Sequence, residues 1–453
     1  MHDEQHEAGC AEYHALARRD FLKRGAGFGI AALLPTWLPS VVLAQSSSSR
    51  DIIVSVFLSG GTDGMSMVVP FGDPFYYTGR PTLAVARPDA AGAGPKATAL
   101  DNFFGFSPGM APLMPAYSAG HLLVAHATGS VDNSRSHFDA QRYIEVGKPK
   151  DLNLATGWLG RHLATVTPLR TNAPLRALGL TSGLPTTLIG GPKTLPISNP
   201  ASFRIDGNSG TAAARTQFLA SNYAQTVDPV SANALDATNT IALLQTINFN
   251  GYTTQNGAVY PNTSFGRSLK STAALIKSDV GVEAIHAFLG GWDTHTAQGP
   301  LPGGYMHDRM LDLSQSLAAF YADVIQGTTA NGVTVVVISE FGRNARENGS
   351  QGTDHGRASV AFFMGQGIAG GRVMAQWPGL QRAQLEDGQD LRVTIDHRDL
   401  LAEIVKYRLG NPNLTTIFPG YVPVERGITT TGAAAPASAL PRRRSLLRQG
   451  PGA

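Results

Sequence analysis

The run Val333-Thr334-Val335-Val336-Val337-Ile338 passes directly into Ser339-Glu340-Phe341-Gly342-Arg343, and Gly352-Thr353-Asp354-His355-Gly356 follows shortly after. Six residues rich in β-branched side chains read as a buried strand, and the Phe-Gly pair reads as the turn that ends it. An acid and an imidazole are thereby placed at the strand's C-terminal end. In an α/β sheet the helices cover both faces, so ligands bind at the open C-terminal strand ends.

Working outward, Ile52 to Leu58, Leu122 to His126 and Val282 to Leu289 read as further strands, with Leu175 to Leu180 a weaker one because Arg176 and Gly179 interrupt it. Between them, Ser136 to Glu145, Leu269 to Lys277, Met310 to Ile325 and Arg398 to Arg408 carry apolar residues near helical spacing. Strands alternating with helices predict an α/β fold with a mostly parallel, doubly wound sheet. The stretch from about 185 to 262, rich in Gly, Ser, Thr, Asn and Pro, is expected to be a loop-rich insertion over the site. No internal repeat is visible.

The chain's start carries a different message. Arg18-Arg19-Asp20-Phe21-Leu22-Lys23 precedes an uncharged apolar stretch, Gly25 to Leu43, that glycines and prolines interrupt. Residues 1–45 therefore read as a twin-arginine signal peptide and not a membrane anchor. This implies a periplasmic or secreted protein, a translocase as partner during export, and a main domain over 46–428. The lone cysteine, Cys10, lies in the signal. Thiolate ligands, disulfides and a cysteine nucleophile are thus excluded from the mature chain, leaving carboxylate and imidazole to hold any metal. Of the net charge of +3, residues 1–45 contribute −1 and Arg442, Arg443, Arg444 and Arg448 contribute +4, so the body is neutral. Nothing there calls for nucleic acid or an anionic membrane. The tail over 429–453 is expected to be disordered.

Two more strand ends carry acids. Ser59-Gly60-Gly61-Thr62-Asp63-Gly64 ends the first strand, and Gly290-Gly291-Trp292-Asp293-Thr294-His295 ends a later one. Asp293 and His295, two apart in extended chain, lie on one side and can share a hard or borderline cation. Asp63 suits metal binding or a turn that bonds its own backbone. In Asp132-Asn133-Ser134-Arg135-Ser136-His137, a serine at a helix start is either a nucleophile or an N-cap, and Arg135 could hold an anionic ester oxygen. His137 is open between ligand, proton donor and surface residue. Arg343 and Arg346 could bind an anion or pair with Glu347; His126 suits a core position, and Asp396, beside His397, suits a helix cap or a ligand.

Taken in order, these motifs resemble the exported bacterial proteins of domain of unknown function 1501, a family similar to the alkaline phosphatase and sulfatase superfamily. The resemblance implies an alkaline-phosphatase-like fold, a central mostly parallel sheet between helical layers, and metal-assisted chemistry on phosphate, phosphodiester or sulfate esters. It implies one or two divalent ions (Zn, Mn, Mg or Ca) held among Asp63, Asp293, His295, Glu340, Asp354 and His355. Ser134 or Ser136 would then attack the ester, with Arg135 and His137 assisting, unless the metal activates water. In one alignment Phe341 stands where the superfamily has a histidine ligand; in the other, Asp354-His355 is the main pair. The absence of a mature cysteine argues against ordinary formylglycine sulfatase chemistry. The alternative is a non-catalytic binding or assembly protein with a degenerate metal site; a carbohydrate-binding protein using Phe203 and Tyr223 is a third reading.

Overall fold

The computed structural model describes residues 50–430 except 206 and 225–228; the signal and nearly all of the basic tail fall outside the described residues. Nine strands form the main sheet: β1 (Ile52–Leu58), β2 (Leu122–Gly129), β3 (Ala177–Gly179), β4 (Thr194–Pro196), β5 (Ala284–Leu289), β6 (Val333–Ser339), β7 (Ser359–Met364), β8 (Arg372–Met374) and β9 (Ile395–Asp396). Their order is β8-β2-β7-β6-β1-β5-β3-β4, with β9 also pairing with β2. All pairings are parallel except those of β7, which runs antiparallel between β2 and β6.

β1 is buried along its whole length, as a strand with helices on both faces must be. Val54, Val56 and Leu58 join Val335, Val337 and Ile285 in one core, which α5 (Ser264–Lys277) and α6 (Tyr305–Phe320) close with Leu269, Ala273, Met310 and Leu317. Ile53 and Phe57 join Val336 and Ile338 in the other, closed by α1 (His137–Val146), α2 (Trp158–Thr165) and α7 (His397–Glu403) through Ile144, Leu159, Leu163 and Leu401.

The stretch 185–262 departs from expectation. It supplies edge strand β4 and two sizeable helices, α3 (Ala212–Tyr223) and α4 (Pro229–Gln245). Its bonds run to Asp323, through Tyr252 and Tyr260, and to Pro174, through Thr240. Asp323 follows α6 and Pro174 precedes β3, so these contacts lie toward the strands' N-terminal ends, whereas Ile197 N bonds to the carbonyl of Gly179 at the C-terminal end of β3. Phe203 packs against the first core, which removes it as an exposed sugar platform.

Candidate functional site

Three neighbouring parallel strands, β6, β1 and β5, deliver their C-terminal loops to one place. The β1 and β5 loops press together so closely that a Cβ on Gly60, where φ is +122°, would fall 2.5 Å from the Asp293 nitrogen. Beyond β6 the chain loops out and returns, and an antiparallel bridge between Arg343 and His355 sets His355 beside the strand end. A Cβ on Gly352 would lie 2.3 Å from the His295 carbonyl carbon, so glycine lets the returning chain meet the β5 loop. His137 arrives from the other side as the first residue of α1.

These loops bring three imidazoles to one carboxylate. His355 Nε2 lies 3.1 Å from His137 Nε2, 3.0 Å from His295 Nε2 and 3.1 Å from Asp293 Oδ1. His295 Nε2 is 3.1 Å from Asp293 Oδ1, and His137 Nε2 is 3.6 Å from Oδ2. The far nitrogen of each ring is committed. His137 Nδ1 meets Glu340 Oε1 at 2.8 Å, His295 Nδ1 meets Asp354 Oδ1 at 2.9 Å, and His355 Nδ1 meets the Arg135 carbonyl at 2.9 Å. Carboxylates and carbonyls only accept, so each Nδ1 carries a proton, and a ring in its neutral form turns its Nε2 lone pair inward. Lone pairs held 3.0–3.1 Å apart repel one another unless a shared proton or a cation lies between them.

The donor set fits a metal. Ligand atoms of His137, Asp293 and His355 all lie within 4.8 Å of one another. Bonds of about 2.0–2.1 Å in a tetrahedron place ligand atoms about 3.3 Å apart, and the contacting pairs, at 3.0–3.6 Å, bracket that spacing, with His295 outside the three-residue group. Carboxylate or carbonyl contacts behind ligating imidazoles are the usual arrangement around such ions.

The electrostatics agree. Burial pushes the Asp293 carboxyl up, but the hydrogen bond and charge of Arg343, together with the neighbouring imidazoles, outweigh it and bring it down to about 2. Arg343 is itself buried, bonded to Asp293 Oδ1 at 2.5 Å and to the Gly61 carbonyl at 2.6 Å, which fixes the carboxylate's rotamer. The Glu340 hydrogen bond raises His137, whereas desolvation lowers His355. Phe341 is buried with its ring 4.9 Å from that of His137 and 5.0 Å from that of His355, so it walls the cluster without a donor.

Other expected site residues lie differently. Asp63 is buried outside the imidazole cluster, with Oδ2 taken by Arg80 at 2.5 Å, Gln298 at 2.6 Å and Ser66 at 2.7 Å. A guanidinium stands where a cation was expected. Glu340, expected as a ligand, is 1 % exposed and accepts from His137, Gly60 and Ser339. Asp354 is likewise an orienting group, itself held by Asn348. Ser136 accepts from the Asp139 nitrogen as the N-cap of α1, and Ser134 accepts from the Ser136 nitrogen. Both therefore do a turn-former's work. The Arg135 guanidinium points to Asp390. Glu347 accepts from Thr82 and Leu83. His126 is buried and bonded to the Val68 carbonyl, and Asp396 caps α7.

Sequence reasoning left the role of His137 open and did not tie Arg343 to Asp293, because both contacts join segments far apart in the chain. Gln298 was missed outright. It accepts from Thr294 and Thr353 and donates to Asp63, tying the β5 loop to the returning chain.

No curated protein matches this chain. A family model, however, covers residues 50–413, from β1 to beyond α7, and the chain therefore belongs to the family described as Protein of unknown function (DUF1501).

Proposed function

We propose that this protein is a metal-dependent hydrolase of phosphate, phosphodiester or sulfate esters, on an alkaline-phosphatase-like fold, exported by the twin-arginine route to work in the periplasm. The observation that carries the reading is the convergence of three imidazole Nε2 atoms on Asp293, each ring's far nitrogen committed to an acceptor. His137, Asp293, His295 and His355 would hold the ion. A divalent cation bound there supplies Lewis-acid activation of the ester or of water.

The remaining work falls to the chain's own groups. Arg343 holds Asp293 ionised, while Glu340 and Asp354 keep the protons of His137 and His295 on Nδ1. Since Ser134 and Ser136 are committed to turn and cap bonds, water is the favoured nucleophile. Nitrogen-rich coordination favours zinc or a neighbouring transition ion over Mg or Ca. No helix among the described residues is long and apolar enough to cross a membrane.

The test is elemental analysis of the protein purified with its export signal intact, alongside Asp293→Ala and His355→Ala, followed by turnover of aryl phosphate, bis-aryl phosphate and aryl sulfate. Near-stoichiometric metal lost in both variants, together with turnover of one ester class, is expected. Metal without turnover would favour the second reading, a binding or assembly protein with a structural ion, which Phe341 at an aligned ligand position supports. A metal-free parent would overturn the site.

A further inference from the structure

The loop from Val131 to Ser136 leads into His137 and also supplies the carbonyl that receives the His355 Nδ1 proton. Its internal bonds are short-range: Ser134 N to Asp132, and Ser136 N to Ser134. Val131, Asn133 and Arg135 are exposed. Arg357 reaches only the loop's start, at the carbonyls of Ser130 and Val131. Lys150 Nζ stands 3.7 Å from Asp132 Oδ2, and nearer the two histidines Arg135 Nη2 meets Asp390 Oδ2 at 2.5 Å.

Asp390 is fully buried, and its Oδ1 has no hydrogen-bond partner. Leu385 and Leu391 hold its segment in a buried cluster with Leu380, and an antiparallel bridge joins Asp390 to Asn344, next to Arg343. The aspartate is therefore the buried anchor and the exposed arginine loop the partner it holds.

We propose that Asp390 is a positioning residue for His355, acting through Arg135. Their ion pair seats the Arg135 carbonyl so that it accepts the Nδ1 proton and leaves the His355 Nε2 lone pair facing His137, His295 and Asp293. The consequence for metal affinity rests on the proposed metal reading; the consequence for the tautomer does not. The idea also gives Arg135 a task other than gripping substrate.

The test uses the full chain, its Asp390→Ala and Arg135→Ala variants and the double variant. Cobalt(II) binding is titrated by visible absorbance, and the His355 tautomer is read in metal-free protein by nitrogen-15 NMR. Arg135→Ala is the sharper variant, because it keeps the accepting carbonyl and removes a half-exposed side chain. Each single variant is expected to bind cobalt about tenfold more weakly, with little added loss in the double variant, because the two residues act as one pair. His355 should shift from an Nδ1-protonated ring to a tautomer mixture. Additive losses, or wild-type affinity and tautomer in Arg135→Ala, would overturn the proposal. Should Asp390→Ala not fold, the Arg135→Ala affinity and tautomer decide alone. If the parent binds no cobalt, the metal reading fails, while the tautomer comparison still decides the role of Asp390.

Discussion

Strands β1 and β5 begin in acids and β5 ends in one, and the two ends of β5 treat theirs in opposite ways. At the start of β1, Asp51 is buried against Arg408 at 2.8 Å; at the start of β5, Glu283 is buried against Arg50 and, at 2.6 Å, Arg176. At the other end Asp293 has a side chain 47 % exposed and gathers three imidazoles besides its arginine. A guanidinium brings a permanent charge and fixed donors, so a carboxylate beside it is satisfied. Neutral imidazoles with committed Nδ1 protons bring lone pairs, which on the reading proposed above a cation would join. The lower end pairs its acids with buried arginines, whereas the upper end gathers imidazoles around a half-exposed carboxylate.

The largest effect should come from breaking the lower end. Glu283→Ala leaves Arg50 and Arg176 buried without their carboxylate, and loss of one partner of a buried pair costs about 3–5 kcal/mol. Urea denaturation of the metal-free protein should register it. Asp293→Ala should cost less by the same measurement, because Arg343 keeps the carbonyls of Gly61 and Thr353 as acceptors, while abolishing metal binding; equal losses from both variants would erase the contrast.

Within the cluster the expected order follows contact. His355 Nε2 touches both other imidazoles and Asp293, so His355→Ala should weaken zinc binding most, measured by competition with a chromogenic chelator. Glu340→Gln keeps an accepting oxygen for His137 but loses the negative charge, and about a tenfold weakening is expected. If Glu340→Gln were worse than His355→Ala, the carboxylate would be a ligand and not an orienting group.

Asp63 tests the comparison by pH, since it sits near the upper end but is treated like the lower acids. Burial raises its carboxyl, but Arg80, Ser66 and Gln298 together outweigh this and hold it below the ordinary 3.8. A folded-state value below the unfolded one means the unfolded chain binds the proton more readily. The stability from Asp63 is therefore present above about pH 4 and is lost as pH falls through the folded value. Asp63→Asn should lower stability at neutral pH and flatten its decline below pH 4, measured by thermal melts across pH 2 to 7. An unchanged acid limb would mean the Arg80 pair contributes nothing there.

This pattern explains how far the sequence could be read. β1, β5 and β6 were legible because buried parallel strands show as apolar runs closed by glycine turns, and with them the positions of Asp63, Asp293 and Glu340. The antiparallel course of β7 was not, because Ser359 to Met364 is a short apolar run whose direction periodicity does not set. The helices α3 and α4 were hidden by polar residues mixed through their sequence. The roles of the acids depended on partners that spacing does not reveal. Arg80, 17 residues beyond Asp63, claims that carboxylate, and His137 meets Glu340 across 203 residues. A motif thus names the chemistry a loop can offer, whereas the fold decides which acid meets an arginine and which an imidazole.

The smallest expected effect concerns the serines. Ser136 Oγ accepts from the Asp139 nitrogen at 3.4 Å, a long cap bond on an exposed residue. Ser136→Ala should therefore cost only about 0.5–1 kcal/mol of stability. Ester turnover by Ser136→Ala and Ser134→Ala should remain within about threefold of the parent, because a change of one-half to one kcal/mol alters a rate by no more than about fivefold even if fully felt at the site. A nucleophile would behave differently: its removal would abolish turnover while leaving zinc affinity intact. That outcome would restore a serine mechanism at the mouth of the same cluster and make the cap bond a resting arrangement that substrate displaces.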